Sequence, residues 1–331
     1  MSDQSEAFWQ MPELPIEASA AMSAVYDWVR RIAPSDAPVL ITGERGTGKP
    51  HIARLVHEKS PRARGAFVTV RWPELTEAFV ESQLFGAVPG AQGDFPGGRG
   101  GLLEEAHRGA LFLEEISDFS LATQRKLLRY LREGAFERLG GHTLVRPDAR
   151  LIVATSHDPA QLAEQGRLNP ALFEALRVLT VHVPPLRECK ADILPLANAF
   201  LHRHARLAGR TPPQLGVHAV SALLAHGWPG NLHELDQCME RAALVCEGRQ
   251  VKPEHLPGHL RAAEDMGASE DSAEDLQATL DNVERALIID ALRRSHGNQA
   301  RAAHLLGITE RLMGLRVRKY GIDPKSFRTG R

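Results

Sequence analysis

The sequence predicts an α/β protein: a parallel sheet covered by helices, then a helical lid, then a small all-α helix-turn-helix module. Three observations carry that expectation. Short apolar runs alternate with helix-like segments through the first half of the chain. A glycine-rich loop ending in lysine, Gly43-Glu44-Arg45-Gly46-Thr47-Gly48-Lys49, follows one of those runs directly. The end of the chain is basic and carries two short helical patterns joined at a glycine.

In chain order, Val39-Leu40-Ile41 is the first strand-like run, and its loop opens a helix over 51–58. Phe67-Val68-Thr69-Val70, Leu111-Phe112-Leu113 and Leu151-Ile152-Val153-Ala154 repeat the strand signal, with a helical pattern over 121–133 among them. From Asp192 to Cys246 the period becomes helical, with Ile193, Leu196 and Phe200 on one face and Leu223, Leu224, Leu232, Leu235 and Met239 on later ones. Residues 262–275 hold six acidic residues and no Lys or Arg, so they read as a flexible linker. Beyond it, Leu280, Val283, Leu287 and Ala291 mark a helix ending near Gly297. Asn298 caps a short helix with Ala302, Ala303 and Leu306, Gly307 turns the chain, and Thr309 caps the last helix. The expected segments are an N-terminal extension 1–13, an α/β part 14–188, a lid 189–261, the linker 262–275 and the helix-turn-helix 276–331.

With 331 residues, 43% apolar and 24% charged, the chain has a globular composition. It has no apolar run long enough for a membrane span and no leader-like start, so the expectation is a cytoplasmic protein without membrane contact. Cys189, Cys238 and Cys246 make neither an even set nor a zinc pattern, and read as reduced, buried thiols. The net charge of −1 hides segregation: residues 276–331 hold 11 Lys and Arg against 5 Asp and Glu. A basic helical pair suits double-stranded DNA, with Asn298, Arg301, Thr309, Glu310, Arg311, Arg316, Arg318 and Lys319 as candidate contacts. Arg316, Arg318 and Lys319 are assigned to phosphates and Thr309, Glu310 and Arg311 to bases. Dimerisation is expected, with the helix from Leu280 to Arg294 as part of the dimer surface. Gly314 weakens the last helix by about 1 kcal/mol.

The spacing of Gly43, Gly46, Gly48 and Lys49 is that of a loop that wraps phosphates with backbone N–H groups. Where the general motif places a hydroxyl residue for Mg²⁺, this chain has Pro50, which supplies neither a hydroxyl nor an N–H.

The segments GERGTGK from Gly43, ESQLFG from Glu81, GALFLEEI from Gly109, QRKLLRYLREGAFERLGG from Gln124, VPPLRE from Val183 and WPGNLHEL from Trp228 resemble the bacterial enhancer-binding proteins, the AAA+ activators of sigma-54 RNA polymerase. GNQARAAHLLGIT from Gly297 is similar to the Fis-type helix-turn-helix of that family. The resemblance implies an AAA+ P-loop fold with an α-helical lid, ATP or ADP with Mg²⁺ as ligand, and RNA polymerase as partner. No receiver or sensing domain fits before about residue 14, so the layout resembles the phage-shock operon activator.

Carried over position by position, the resemblance makes Lys49 the phosphate lysine and Glu115 the glutamate that orients the attacking water. The aspartate before it in the family is Glu114, next to any Mg²⁺. The asparagine that gates the glutamate falls on Arg71, which is expected to pair with Glu115. The first sensor falls on Ser156, whose side chain is shorter, and the second-sensor arginine on His233, which is not a permanent cation. The two arginines that reach a neighbouring subunit fall on Asn169 and Ala175, and such a finger is worth about 10³ to 10⁵ in rate. The Phe-Thr pair that touches sigma-54 falls on Gln92-Gly93. The leading expectation is a DNA-binding transcriptional regulator on a degenerate AAA+ scaffold, impaired in hydrolysis and independent of sigma-54. The alternatives are an ATP-hydrolysing sigma-54 activator, and a pseudo-ATPase subunit that joins an active homologue in mixed rings; the assembly is accordingly a homo-oligomer or a hetero-oligomer.

Overall fold

Five strands, β1 (Val39–Thr42), β2 (Phe67–Val70), β3 (Ala110–Leu113), β6 (Arg150–Thr155) and β7 (Leu179–His182), form one parallel sheet in the order β2-β3-β6-β1-β7. The computed structural model describes residues 19–70, 77–91, 98–260 and most of 284–327. The extension 1–13, the linker 262–275, Arg71, Gln92, Gly93, Leu280, Val283, Leu287, Arg294 and Gly307 lie outside the described residues.

Central strands are buried on both faces, which is why they read as unbroken apolar runs. Leu111, Phe112, Leu113, Ile152 and Val153 are completely shielded from solvent. Register places Leu40 beside Val153 on one side and beside Thr180 on the other, so β1 sits inside the sheet with its carboxyl end between those of β6 and β7. A second, antiparallel pair, β4 (Phe136–Glu137) with β5 (Leu144–Val145), lies in the connection before β6.

The helices obey local end signals. In α1 (Ala20–Ile32) the Ser19 hydroxyl accepts from the Met22 amide at 3.2 Å. Its C-terminal carbonyls are met by a side chain from far away: the buried guanidinium of Arg150 donates to Ala33 O at 2.7 Å, Ile32 O at 3.1 Å and Ala37 O at 3.1 Å. Ala33 O lies at the helix end, where carbonyls lack an intrahelical partner, Ile32 O also accepts from Ser35 N at 3.1 Å, Ala37 O lies in the loop beyond, and the cation faces the negative pole of the helix. Next come α2 (Lys49–Glu58), α3 (Glu77–Phe85), α4 (Leu102–Glu105) and α5 (Leu121–Glu133), the last capped by Ser120 and stopped by Gly134. They are followed by α6 (Pro159–Glu164), α7 (Pro170–Leu176), α8 (Lys190–Leu207), α9 (Val217–Ala225) and α10 (Asn231–Val245). α8 and α10 pack on each other, and Ile193, Leu196 and Phe200 of the one and Leu235 and Met239 of the other are buried, the faces the helical period predicts.

The chain divides into two compact units, Met1–Gln214 with Gly227–Gln250, and Leu215–His226 with Val251–Arg331. Segment 189–261 is thus shared: α8 and α10 belong to the first unit and α9 to the second. The three cysteines are free and buried, and burial pushes the Cys238 thiol up to about 12. Among the described residues no helix is long and apolar enough to cross a membrane.

The second unit contains α11 (Gln299–Leu305) and α12 (Glu310–Lys319). Ala302 and Ala303 from α11 and Met313 and Val317 from α12 pack with Ile288, Ala291 and Leu292 of the preceding helical residues. Ala291 is therefore buried within its own module.

Candidate functional site

The glycine loop leaves the carboxyl end of β1 and is folded as the spacing requires. Gly46 has φ 78°, and a Cβ there would come within 2.3 Å of the Gly230 carbonyl oxygen, so both conformation and contact demand glycine. Gly48 caps α2 with φ 96°, and Lys49 and Pro50 are the first two helical residues. Pro50 costs the helix nothing, because first-turn N–H groups have no intrahelical partner. For an anion at that helix end, however, it is one donor fewer.

Lys49 is 4% exposed, and its three donors are all engaged: Nζ donates to Gly43 O at 2.8 Å, to Glu44 O at 3.0 Å and to the Ser156 hydroxyl at 2.7 Å. Burial lowers its pKa, opposed by the charges of Glu115 and Glu114. Glu115 stands just past β3 with φ 61°, a left-handed conformation that is costly for a side chain with a Cβ. Ser156 donates its backbone N–H to both Glu115 oxygens at 2.9 Å, Thr155 donates its hydroxyl to Oε1 at 2.8 Å, and Ser117 approaches Oε1 at 3.3 Å. Burial works against the charge of Glu115, but these hydrogen bonds and Lys49 outweigh it and hold the carboxyl below its ordinary range. Ser156 therefore joins the two: its amide holds the acid while its hydroxyl oxygen accepts a hydrogen bond from the lysine. Although shorter than asparagine, this side chain reaches Lys49. The expected Arg71 pairing with Glu115 lies outside the described residues.

The outer side of the loop is held by residues that motif spacing did not single out. Asn231 is fully buried at φ 53°; its Oδ1 accepts from Leu186 N at 2.8 Å and its Nδ2 donates to Arg45 O at 2.9 Å and to Glu44 Oε2 at 3.2 Å. Leu232 N donates to Gly46 O at 2.9 Å. Arg187 grips Glu44 with both terminal nitrogens, at 2.6 and 2.8 Å, and, with burial opposing, lowers the Glu44 pKa to about 2. Thr47 turns its hydroxyl inward to Glu44 O at 2.9 Å. His233 is exposed beside the loop and meets Gln237 at 3.1 Å.

Asn169 and Ala175 take structural positions. Asn169 is the N-cap of α7, its Oδ1 accepting from Ala171 N at 2.9 Å and Leu172 N at 3.2 Å, and Ala175 packs against the sheet core. The nearby Arg177 pairs with Glu174 at 3.1 Å. The buried Gln124 ties this segment to the acid-bearing strand end: it donates to Phe119 O at 2.8 Å and Arg167 O at 2.9 Å and accepts from Asn169 N at 2.7 Å. An Asn-Pro pair opening a helix was the available signal for the cap, whereas nothing local announces the role of Gln124.

The donor set fits a polyphosphate through the loop amides and Lys49. It is poorer for Mg²⁺, since no hydroxyl follows Lys49, and the Glu115 oxygens already accept several hydrogen bonds; Glu114 is the remaining carboxylate beside them.

In the helix-turn-helix, Asn298 caps α11 by accepting from Arg301 N at 3.1 Å, and Thr309 caps α12 by accepting from Leu312 N at 3.3 Å. Arg301, Glu310, Arg311 and Arg318 are exposed. Arg316 also has a partner inside the module. Its Nε meets Glu284 Oε1 at 2.9 Å, and the Tyr320 hydroxyl donates to the other oxygen of Glu284 at 2.5 Å, so Arg316 braces the module internally. Lys319 lies over the Tyr320 ring at 4.9 Å.

Comparison with known proteins gives three consecutive matches. The Sigma-54 interaction domain matches residues 16–182, the AAA+ ATPase lid domain residues 187–273, and the bacterial regulatory protein, Fis family, residues 279–320. The Nitrogen fixation protein VnfA of Azotobacter vinelandii is 39% identical over 310 residues, covering 94% of this chain and 59% of its own length. The Regulatory protein AtoC of Escherichia coli (strain K12) is 38% identical over 320 residues, covering 96% of this chain and 69% of its own. The chain thus spans about three fifths of the first relative. Among solved structures, NtrX from Brucella abortus in complex with ATP superposes with a TM-score of 0.69 at 31% identity, over 97% of this chain and 72% of that one.

Proposed function

The chain belongs to the sigma-54-interacting AAA+ family of bacterial transcriptional regulators with a Fis-type DNA-binding module, and from that membership we propose a DNA-binding regulator with an impaired ATPase. In this reading it binds ATP or ADP weakly through Gly43 to Lys49, turns it over very slowly, and acts on transcription without remodelling sigma-54 polymerase.

One observation carries the reading. Asn169 is spent on capping α7 and Ala175 on core packing, so neither family finger position offers a cation to a neighbouring subunit. Losing an arginine finger lowers phosphoryl transfer by about 10³ to 10⁵. Pro50 supports it by subtracting a phosphate donor, and Gln92-Gly93 supports independence of sigma-54 because it replaces the contact pair. Segments 14–188, 189–261 and 276–331 then serve as nucleotide-binding, lid and DNA-binding parts, with duplex DNA and RNA polymerase as partners.

A second reading, an ATP-hydrolysing sigma-54 activator, is favoured by the ordered Lys49–Ser156–Glu115 arrangement. Nucleotide binding and ATP turnover of the purified protein, with Glu115→Gln as control, separate the two. Measurable binding with turnover no higher than the control supports the proposal; turnover typical of an active AAA+ activator, abolished by Glu115→Gln, overturns it in favour of the second.

A further inference from the structure

The outward face of α12 is unusual for a helix meant to read bases by hydrogen bonding. Successive helical residues are about 100° apart, so with Met313 and Val317 in the core, Leu315 points almost directly away from the module. It is 56% exposed, and Leu312, on the flank of the same face, is 38% exposed. Around them stand Arg311, Arg318 and Lys319. Residues 310–319 contain no Asn or Gln, the side chains that read adenine bidentately.

Cations flanking a short apolar centre match a surface that is anionic at its edges and apolar at one point within. The major groove of duplex DNA is such a surface: phosphates line both walls, and the only apolar group on its floor is the thymine 5-methyl. An apolar protein partner would not call for three surrounding cations. We infer that Leu315, with Leu312 beside it, is a specificity-determining residue that recognises thymine methyl groups in the major groove. This rests on the DNA-binding reading above and adds to it a base preference. Arg311 and Glu310 at the start of the helix are left to recognise guanine and cytosine edges.

The test removes single methyl groups. Duplexes preferred by the 331-residue chain are selected from a random pool, and each thymine is replaced in turn by deoxyuridine. One or two positions per half-site are expected to lose affinity about fourfold, the worth of one buried methyl. Leu315→Ala should bind the thymine duplex more weakly and no longer distinguish it from the deoxyuridine one. Selected sites without thymine, equal affinity for both duplexes, or an undiminished penalty in both Leu315→Ala and Leu312→Ala overturns the inference. The deoxyuridine comparison uses the unaltered protein, so it stands whatever the variants do to folding. Failure to bind any duplex at low salt overturns the DNA-binding reading as well; binding that ignores the methyl overturns the base preference alone.

Discussion

Replacing Asn231 with alanine tests how the glycine loop is held. The substitution leaves the buried Leu186 amide without its acceptor, which costs about 1 to 3 kcal/mol. It also puts alanine at φ 53°, where a residue with a Cβ loses about 1 to 2 kcal/mol, a penalty that asparagine is better able to bear. Together these give about 3 kcal/mol. For a unit of this size each kcal/mol moves the midpoint of thermal unfolding by about 2–4 °C, so the transition of the first unit should fall by about 6–12 °C. Asn231→Gly loses the same hydrogen bonds but relieves the conformational penalty, and should be milder than alanine by about 1 kcal/mol. Both variants free Arg45 O from its anchor and should weaken binding of a fluorescent ATP analogue. The reasoning fails if alanine is no worse than a substitution at an exposed position, or if glycine matches alanine.

Three further outcomes are expected. The Glu44 pKa of about 2 means that the Arg187 pair stabilises the fold fully above the ordinary carboxylate value of 4.5 and fades as pH falls toward 2. The loss of stability in Arg187→Ala, measured by thermal melting, should therefore be largest near pH 7 and shrink below about pH 4.5; a pH-independent loss contradicts this. At Gly314 an added Cβ meets nothing closer than Gln299 Oε1 at 3.9 Å, so Gly314→Ala should stabilise α12 by about 1 kcal/mol, and a lower melting temperature for the second unit would refute the placement. Asn169→Arg should lower stability by about 1 kcal/mol through loss of the cap, and, combined with Ala175→Arg, leave ATP turnover unrestored while Arg71 and Pro50 remain; recovered turnover in a coupled phosphate-release assay would show that the missing fingers alone impair hydrolysis and that Arg71 and Pro50 do not.

Features written in short spacing were legible. The strand runs, the glycine loop and the caps at Asn298 and Thr309 each depend on neighbours within a few residues, and the structure places them where the pattern does. What was missed depends on distant partners. Arg150 completes a helix end more than a hundred residues earlier, Glu284 claims Arg316 from the preceding helical segment, and Gln124 joins two loops. Such pairings are chosen by tertiary proximity, which a one-dimensional pattern does not contain. Asn169 is a different case: its cap signal was local, but the position was weighed only for the charge it lacks. The split of segment 189–261 between two units was hidden because all its helices share one amphipathic period.

The sheet order has an evolutionary consequence. Strands β3 and β6 are buried along their lengths and β1 in all but its last residue, while Pro50, Ser156 and Glu115 all lie beyond their carboxyl ends, outside the hydrogen-bonded ladders. Mutations at Pro50, Ser156 and Glu115 therefore leave the strand ladders and their buried side chains untouched, whereas mutations within the strands strike the residues that hold the sheet together. A lineage on this architecture is free to trade one activity for another, or for none, and still inherit a stable platform on which selection keeps acting through whatever the chain binds.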